Sequence, residues 1–240
     1  MTGGDMAAES REPDEAVRRT FEGLHRLLLR LAGRVPDEFV SHARSMLAEG
    51  DLDYLPDALS GATAGLGVSL TMADAELLRD VLQALGGGEN PAAMERTPIS
   101  DVIPETGHLF APALPEVLAS AGTSVPAALD LEGDLGGLTD LTDDLVVDAL
   151  IEHAGVVAVW RAWRFGPGEP SQAWRRVYLA EVEPGIPAWE LTMDAQRELV
   201  QMRVAAPQVE VYWSGDDLPS YHRRARTAAT LLWRRPEDAS

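Results

Sequence analysis

The side chains best suited to binding an anion lie close together near the C-terminal end of the chain. One six-residue stretch holds a phenol, an imidazole and three guanidinium groups: Tyr221, His222, Arg223, Arg224 and Arg226. A planar guanidinium can hold a carboxylate or a phosphate through two parallel hydrogen bonds. Two aspartates, Asp216 and Asp217, precede the stretch and offer partners within the chain itself. The segment therefore predicts either recognition of a ligand or partner, or structural pairing with acidic groups of the same protein.

Two further arginines, Arg161 and Arg164, interrupt the apolar run of residues 156–165. If the protein binds an anionic small molecule, these two side chains and the C-terminal stretch are the candidates for binding it. The competing interpretation is again an ion pair within the fold, because a charge in an apolar run has to be paired when it is buried.

Other reactive groups are scarce. The chain has no cysteine, which excludes disulfides, thiolate-bound metals and cysteine nucleophiles. No two histidines have the spacing of a zinc protease, and no Gly-x-Ser-x-Gly sequence marks a serine nucleophile. Asp130, Glu132 and Asp134 begin like a calcium loop, but Leu135 and Leu141 stand where that loop needs glycine and glutamate. We therefore predict no metal and no cofactor.

A second group of carboxylates is also explained without a metal. Asp143, Asp144 and Asp148 have the spacing of the aspartate-rich magnesium motif of class I terpene synthases, a resemblance that covers six residues and lacks the second motif of those enzymes. Asp143 and Asp144 are equally expected as negative charges at a helix N-terminus, where they interact favourably with the helix dipole.

Charge is distributed unevenly along the chain. The formal net charge is −19, and all 20 basic residues are arginine. Residues 1–154 contain 28 acidic residues and nine arginines, whereas residues 155–240 contain 11 of each. The strong negative charge repels phosphate backbones and lipid headgroups, so we expect neither a nucleic acid nor a membrane as partner. An acidic N-terminus and short apolar runs further predict a soluble, cytoplasmic protein.

Hydrophobic periodicity assigns helices to the first part of the chain. Spacings of three and four predict helices at about residues 14–32, 36–50, 53–64 and 71–85, with glycines after most of them. From residue 86 to 138 repeated prolines interrupt the pattern, and a further helix is predicted at about 142–153. Short helices with short connections predict a small bundle.

The remaining sequence changes to the pattern of strands. Runs at residues 156–165 and 176–182 read as a hairpin, followed by a helix at 191–204, a strand at 209–213, a helical turn at 219–226 and a strand at 228–233. This β-β-α-β-α-β order predicts an α+β protein, with an N-terminal helical bundle followed by a mixed sheet covered by a helix. We expect a disordered acidic tail at 1–13, a helical module at 14–86, a linker or irregular wrap at 87–137 and an α+β module at 138–240.

Two stretches resemble an uncharacterised group of actinobacterial cytoplasmic proteins. They are PQVEVYWSGDDLPSYHRRARTAATLLW near the C-terminus and RVPDEFVSHARSMLAEGDL near the N-terminus. The resemblance extends over most of the chain, implies a bacterial cytoplasmic origin and carries no activity. From these observations we expect a non-catalytic accessory or regulatory protein that acts by protein–protein interaction or self-association. The alternative is a small-molecule enzyme or ligand-binding protein with an anion pocket between the two modules.

Overall fold

The computed structural model of the chain describes residues 11–86, 91–114, 139–166 and 174–236. Contacts divide the chain into two compact units. The first consists of Met1–Leu31 and Ala43–Ile103, and the second of Ala32–His42 and Pro104–Ser240. The α+β class expected from the sequence is confirmed, because helices come first and a mixed five-stranded sheet with helices follows.

The first part of the chain is helical. Its helices are α1 (Arg11–Leu31), α2 (Asp37–Glu49), α3 (Leu55–Leu66), α4 (Met72–Ala84) and α5 (Pro91–Arg96). The apolar face predicted for α1 is buried, since Leu24, Leu27 and Leu28 are fully inaccessible to solvent. Within the described ranges, no helix combines the length and the apolar character needed to cross a membrane.

Polar contacts fix the N-terminal end of α4. The Thr71 side chain caps the helix by accepting a hydrogen bond from the Asp74 backbone N–H at 3.1 Å. The carboxylate of Asp74 is buried and accepts hydrogen bonds from the Arg30 guanidinium, with 2.8 Å between Nε and Oδ2. Before α4, Leu70 pairs with the backbone around Ile99, so the chain after α5 runs beside the start of α4.

The second unit is built around one long strand. Its strands are β1 (Leu109–Ala111), β2 (Val156–Phe165), β3 (Arg175–Val182), β4 (Gln208–Trp213) and β5 (Thr230–Arg234). One edge of β2 pairs antiparallel with β3, while the other edge is shared by β5 and β1. β4 lies parallel to β3 on its far side. The rings of Phe165 and Trp174 stack with centroids 4.6 Å apart, joining the end of β2 to the start of β3.

Helices cover both faces of this sheet. They are α6 (Leu141–Ile151), α7 (Ala188–Gln201) and α8 (Ser220–Ala228). Because successive side chains of a strand point to opposite faces, Arg161 and Arg164 of β2 face opposite sides. Arg161 meets α6 and Arg164 meets α8. α7 makes the connection between the parallel strands and packs against α6 and β4.

Three parts of the sequence-based division can be compared with the described residues. The predicted tail at 1–13 overlaps α1, which begins at Arg11, and residues 1–10 lie outside the described ranges. The stretch expected to be a linker or wrap, 87–137, contains α5 and β1, which are too short to show a period. Its remaining part from 115 on, including Asp130, Glu132 and Asp134, lies outside the described ranges. Residues 32–42 group with the sheet although they were assigned to the helical module.

Gly33 occupies a position in the second unit that a larger residue cannot occupy without strain. Its φ of +71° lies in the left-handed region, and a Cβ atom there would stand 2.6 Å from the Tyr221 ring. Gly215, with φ of +87°, has open space around it and serves as the matched control. We expect Gly215→Ala to lower the free energy of unfolding by about 1–2 kcal/mol. Gly33→Ala should cost about 1–3 kcal/mol more, because the added methyl overlaps a buried ring.

Urea unfolding of both glycine variants measures the difference. Equal losses would show that the Tyr221 ring moves aside freely, in which case the packing between residues 32–42 and α8 is looser than the structure describes.

Candidate functional site

The first buried polar cluster of the second unit is built on Arg164. The Arg164 guanidinium donates two hydrogen bonds to the Asp37 carboxylate, one of them 2.8 Å long. It also donates to the Tyr221 hydroxyl at 3.2 Å. Burial raises the pKa of the Tyr221 phenol, so this ring stays neutral. The edge of the Tyr221 ring meets Phe110 and His108, so the arginine, the carboxylate and three rings form one packed group.

The second cluster is a fully buried acid–imidazole pair on the same face of the sheet. Nε2 of His222 in α8 lies 2.8 Å from a carboxylate oxygen of Glu210 in β4, and both side chains are completely inaccessible. Nδ1 of His222 has no hydrogen-bond partner among the described residues. Nε2 is the ring nitrogen within hydrogen-bond distance of the Glu210 carboxylate, so this contact ties α8 to β4 inside the fold.

The third cluster lies on the opposite face and joins α6 to β2 and β3. The Arg161 guanidinium donates to the Asp143 carboxylate, and the Tyr178 hydroxyl donates to the same carboxylate at 2.7 Å. Burial raises the pKa of the Asp143 carboxyl, an effect that the Arg161 guanidinium opposes. At its exposed edge, hydrogen bonds from Arg176 lower the pKa of Asp140, the N-cap residue of α6.

Arg161 also makes a contact at the edge of β2. Its Nη2 donates to the Pro112 carbonyl at 3.0 Å, and the Thr230 hydroxyl donates to the same oxygen at 3.0 Å. β1 and β5 pair with neighbouring parts of the same edge of β2. Pro112 follows β1 and Thr230 begins β5, so this carbonyl lies between the two strands. The buried arginine therefore also holds this junction together.

The three arginines of the C-terminal stretch have different surroundings. Arg226 lies over the Trp160 ring at 3.3 Å from its centroid and donates to the Tyr212 hydroxyl. Arg223 is exposed, donates to the Leu218 carbonyl and lies 3.4 Å from Asp217. Arg224 donates to the Thr106 carbonyl at 3.1 Å.

Arg223 and Arg224 line a cavity of about 330 Å³ between α8 and β1. Its other lining residues are apolar or carry a hydroxyl: Leu109, Phe110, Thr227 and Ala228. Of the seven residues that the sequence marked as ligand or partner candidates, the structure thus brings these two to an open cavity. Arg161, Arg164, Tyr221 and His222 are buried, and Arg226 is half-buried on a tryptophan.

Sequence reasoning missed the acidic partners of these buried groups. Asp37 lies in the first turn of α2, where a negative charge is common, and its side chain also accepts a hydrogen bond from Arg164. Asp143 was expected as a helix-end charge, although its side chain is only 1% exposed. One signal in the sequence could have indicated the Glu210 pair. Glu210 lies within the apolar run VEVYW, and a carboxylate buried in such a strand requires a partner.

The helical unit contains a larger opening. A groove of about 810 Å³ runs between α4 and the segment from α5 to Ile99. Leu82, Met94 and Ile99 supply apolar surface, whereas Arg79, Gln83 and Glu95 supply polar groups. The hydroxyls of Thr63 and Thr97 lie 3.3 Å apart and tie α3 to the segment that ends α5. The groove is therefore amphipathic, with walls fixed by short-range contacts.

A third opening, of about 570 Å³, lies between α6 and α7. Four of its nine lining residues are acidic, and His153 at its side is 3.1 Å from Asp194. Across the described ranges, no three histidine, aspartate or glutamate side chains converge to form a metal-binding group.

Comparisons of the chain with protein-family models, with curated proteins and with solved structures found no match.

The Glu210–His222 pair generates a test of its structural role. We expect Glu210→Leu alone and His222→Leu alone each to lower the free energy of unfolding by roughly 3–5 kcal/mol, because each leaves a buried polar partner unpaired. The double variant should lose less than the sum of the two, since neither polar group then remains. Urea unfolding of the four proteins gives the coupling energy directly. Additive losses would show that the two side chains do not stabilise each other.

Proposed function

We propose that this protein is a non-catalytic accessory protein that binds another protein through the groove of its helical unit. The observation that carries this proposal is the groove itself, about 810 Å³ in volume, with apolar and polar residues on its walls. Peptide helices commonly bind in grooves of this kind by inserting an apolar face and leaving a polar face at the rim.

The apolar surface of the groove is partly accessible. Leu82 and Met94 are 6% and 8% exposed and form its floor, whereas Ile99 is 38% exposed at its side. Removing exposed apolar area from water stabilises a complex by about 25 cal/mol per Å². A partner that covers Ile99 therefore gains this free energy of binding without any rearrangement of Leu82 and Met94.

The charge of the unit favours one kind of occupant. The two segments of the unit, residues 1–31 and 43–103, contain 16 acidic residues and eight arginines. An acidic surface accelerates and stabilises the binding of a basic partner. The occupant that fits both features is an amphipathic helix with an apolar face and a basic face.

The buried ionisable groups of the second unit support a role in binding rather than catalysis. Arg161, Arg164 and His222 each meet a carboxylate inside the fold, where the pair stabilises packing. Groups engaged in this way hold elements together and are not exposed to a substrate.

A labelled model peptide tests the groove. The probe is an amphipathic helix of about 18 residues with leucine on one face and lysine on the other, compared with a version carrying glutamate on the polar face. We expect the lysine peptide to bind more tightly by fluorescence anisotropy, and the difference to shrink as salt screens the charges. Equal affinities for the two peptides would contradict the proposed charge preference.

Two neutral substitutions locate the binding surface. Ile99→Gln removes an apolar contact in the groove, and we expect it to weaken the lysine peptide at least about fivefold. Val102→Gln is the matched control, because Val102 is 77% exposed and does not line the groove. An Ile99→Gln variant with unchanged affinity would overturn the proposal.

Sedimentation of the full chain at increasing concentration distinguishes binding of a second copy from binding of another protein. If a second copy occupies the groove, Ile99→Gln would disrupt the self-association.

A further inference from the structure

The cavity between α8 and β1 has two walls of different chemistry. One wall is cationic, formed by Arg223 and Arg224, and the other is apolar, formed by Leu109, Phe110 and Ala228. Leu109 is 45% exposed, so its side chain is available to a ligand.

The Arg224 guanidinium is held in place by a neutral acceptor. Its Nη1 donates to the Thr106 carbonyl, a neutral acceptor, and within the described ranges no carboxylate forms an ion pair with it. Arg161, Arg164 and Arg176 in the same unit each meet a carboxylate. Arg224 is therefore oriented by the protein while its remaining N–H groups can serve an external anion.

Arg223 adds a second, more mobile charge. It donates to the Leu218 carbonyl, and its carboxylate neighbour Asp217 has a side chain that is 99% exposed. An ion pair in such an exposed position is weak and is easily exchanged for another anion. Two guanidinium groups at one opening can share the oxygens of a carboxylate or phosphate.

The apolar wall is preorganised by the buried cluster behind it. The Phe110 ring meets the edge of the Tyr221 ring at a centroid distance of 5.2 Å. Tyr221 is in turn fixed by Arg164, which Asp37 holds. Because these contacts exist before any ligand arrives, binding does not have to order Phe110.

We propose that this cavity is a binding site for a small amphiphilic oxyanion, a carboxylate or phosphate monoester attached to an apolar body. The oxyanion meets Arg223 and Arg224, and the apolar body lies against Leu109, Phe110 and Ala228. A volume of about 330 Å³ lies at the small end of ligand-binding cavities and suits a single-ring compound better than a dinucleotide.

Titration of the full chain with three probes tests the ligand class. Phenylacetate and phenyl phosphate distinguish the carboxylate from the phosphate, and inorganic phosphate lacks the apolar body. We expect at least one aromatic probe to shift the backbone amide signals of residues 109, 110, 223 and 224 saturably in NMR spectra, with a Kd below about 1 mM. Inorganic phosphate should bind at least about tenfold more weakly. Absence of saturable shifts with both aromatic probes, or equal binding of inorganic phosphate, overturns the proposal.

Variants assign the two halves of the site. Arg224→Gln should weaken the aromatic probe about tenfold to a hundredfold, the loss expected for one charge-assisted hydrogen bond. Arg234→Gln is the matched control, because Arg234 is exposed on β5 and does not line the cavity. Thr227→Trp fills the cavity from an exposed position without changing an arginine, and it should block binding while the melting temperature stays within a few degrees. Unchanged affinity in Arg224→Gln or in Thr227→Trp overturns the site.

Discussion

Moving a guanidinium group from water into a protein interior costs several kcal/mol unless a carboxylate accompanies it. Strand β2 buries two such groups, Arg161 and Arg164, and the alternation of side chains sends them to opposite faces of the sheet. Each face must therefore receive an acidic residue from elsewhere in the chain. Asp143 on α6 supplies one and Asp37 supplies the other. The need of these two β2 arginines for a carboxylate therefore helps to determine where α6 and residues 32–42 pack on the sheet.

Local patterns predicted the elements well, and long-range pairing escaped them. The β-β-α-β-α-β order was readable because each element is long enough to show a period of two or of 3.6 residues. The short elements α5 and β1 show no such period, so residues 87–137 looked irregular. The candidate arginines were recognised from their side-chain chemistry. Asp37, which pairs with Arg164, and Glu210, which pairs with His222, were not recognised as partners. Asp37 and Arg164 are 127 positions apart, and no local pattern spans that distance.

Net charge and local charge carry different information in this chain. Residues 155–240 contain equal numbers of acidic residues and arginines, yet those arginines do not share one environment. Buried ones meet carboxylates, Arg226 lies on a tryptophan ring, and Arg224 meets a carbonyl. A guanidinium facing a neutral acceptor keeps its full electrostatic attraction for anions, whereas one in an ion pair does not. Composition alone therefore says little about where an anion can bind, and the acceptor beside each arginine says more.

The stacked rings of Phe165 and Trp174 have a consequence for engineering. They join the end of β2 to the start of β3, where the chain passes from one strand to the other, so the register of the two strands is set by side chains at this end and by the ladder itself. The cost of closing a longer connection grows only with the logarithm of its length, about 0.6 kcal/mol for each doubling. A reporter peptide or a small domain can accordingly be inserted between β2 and β3 at a modest cost in the free energy of closing the connection.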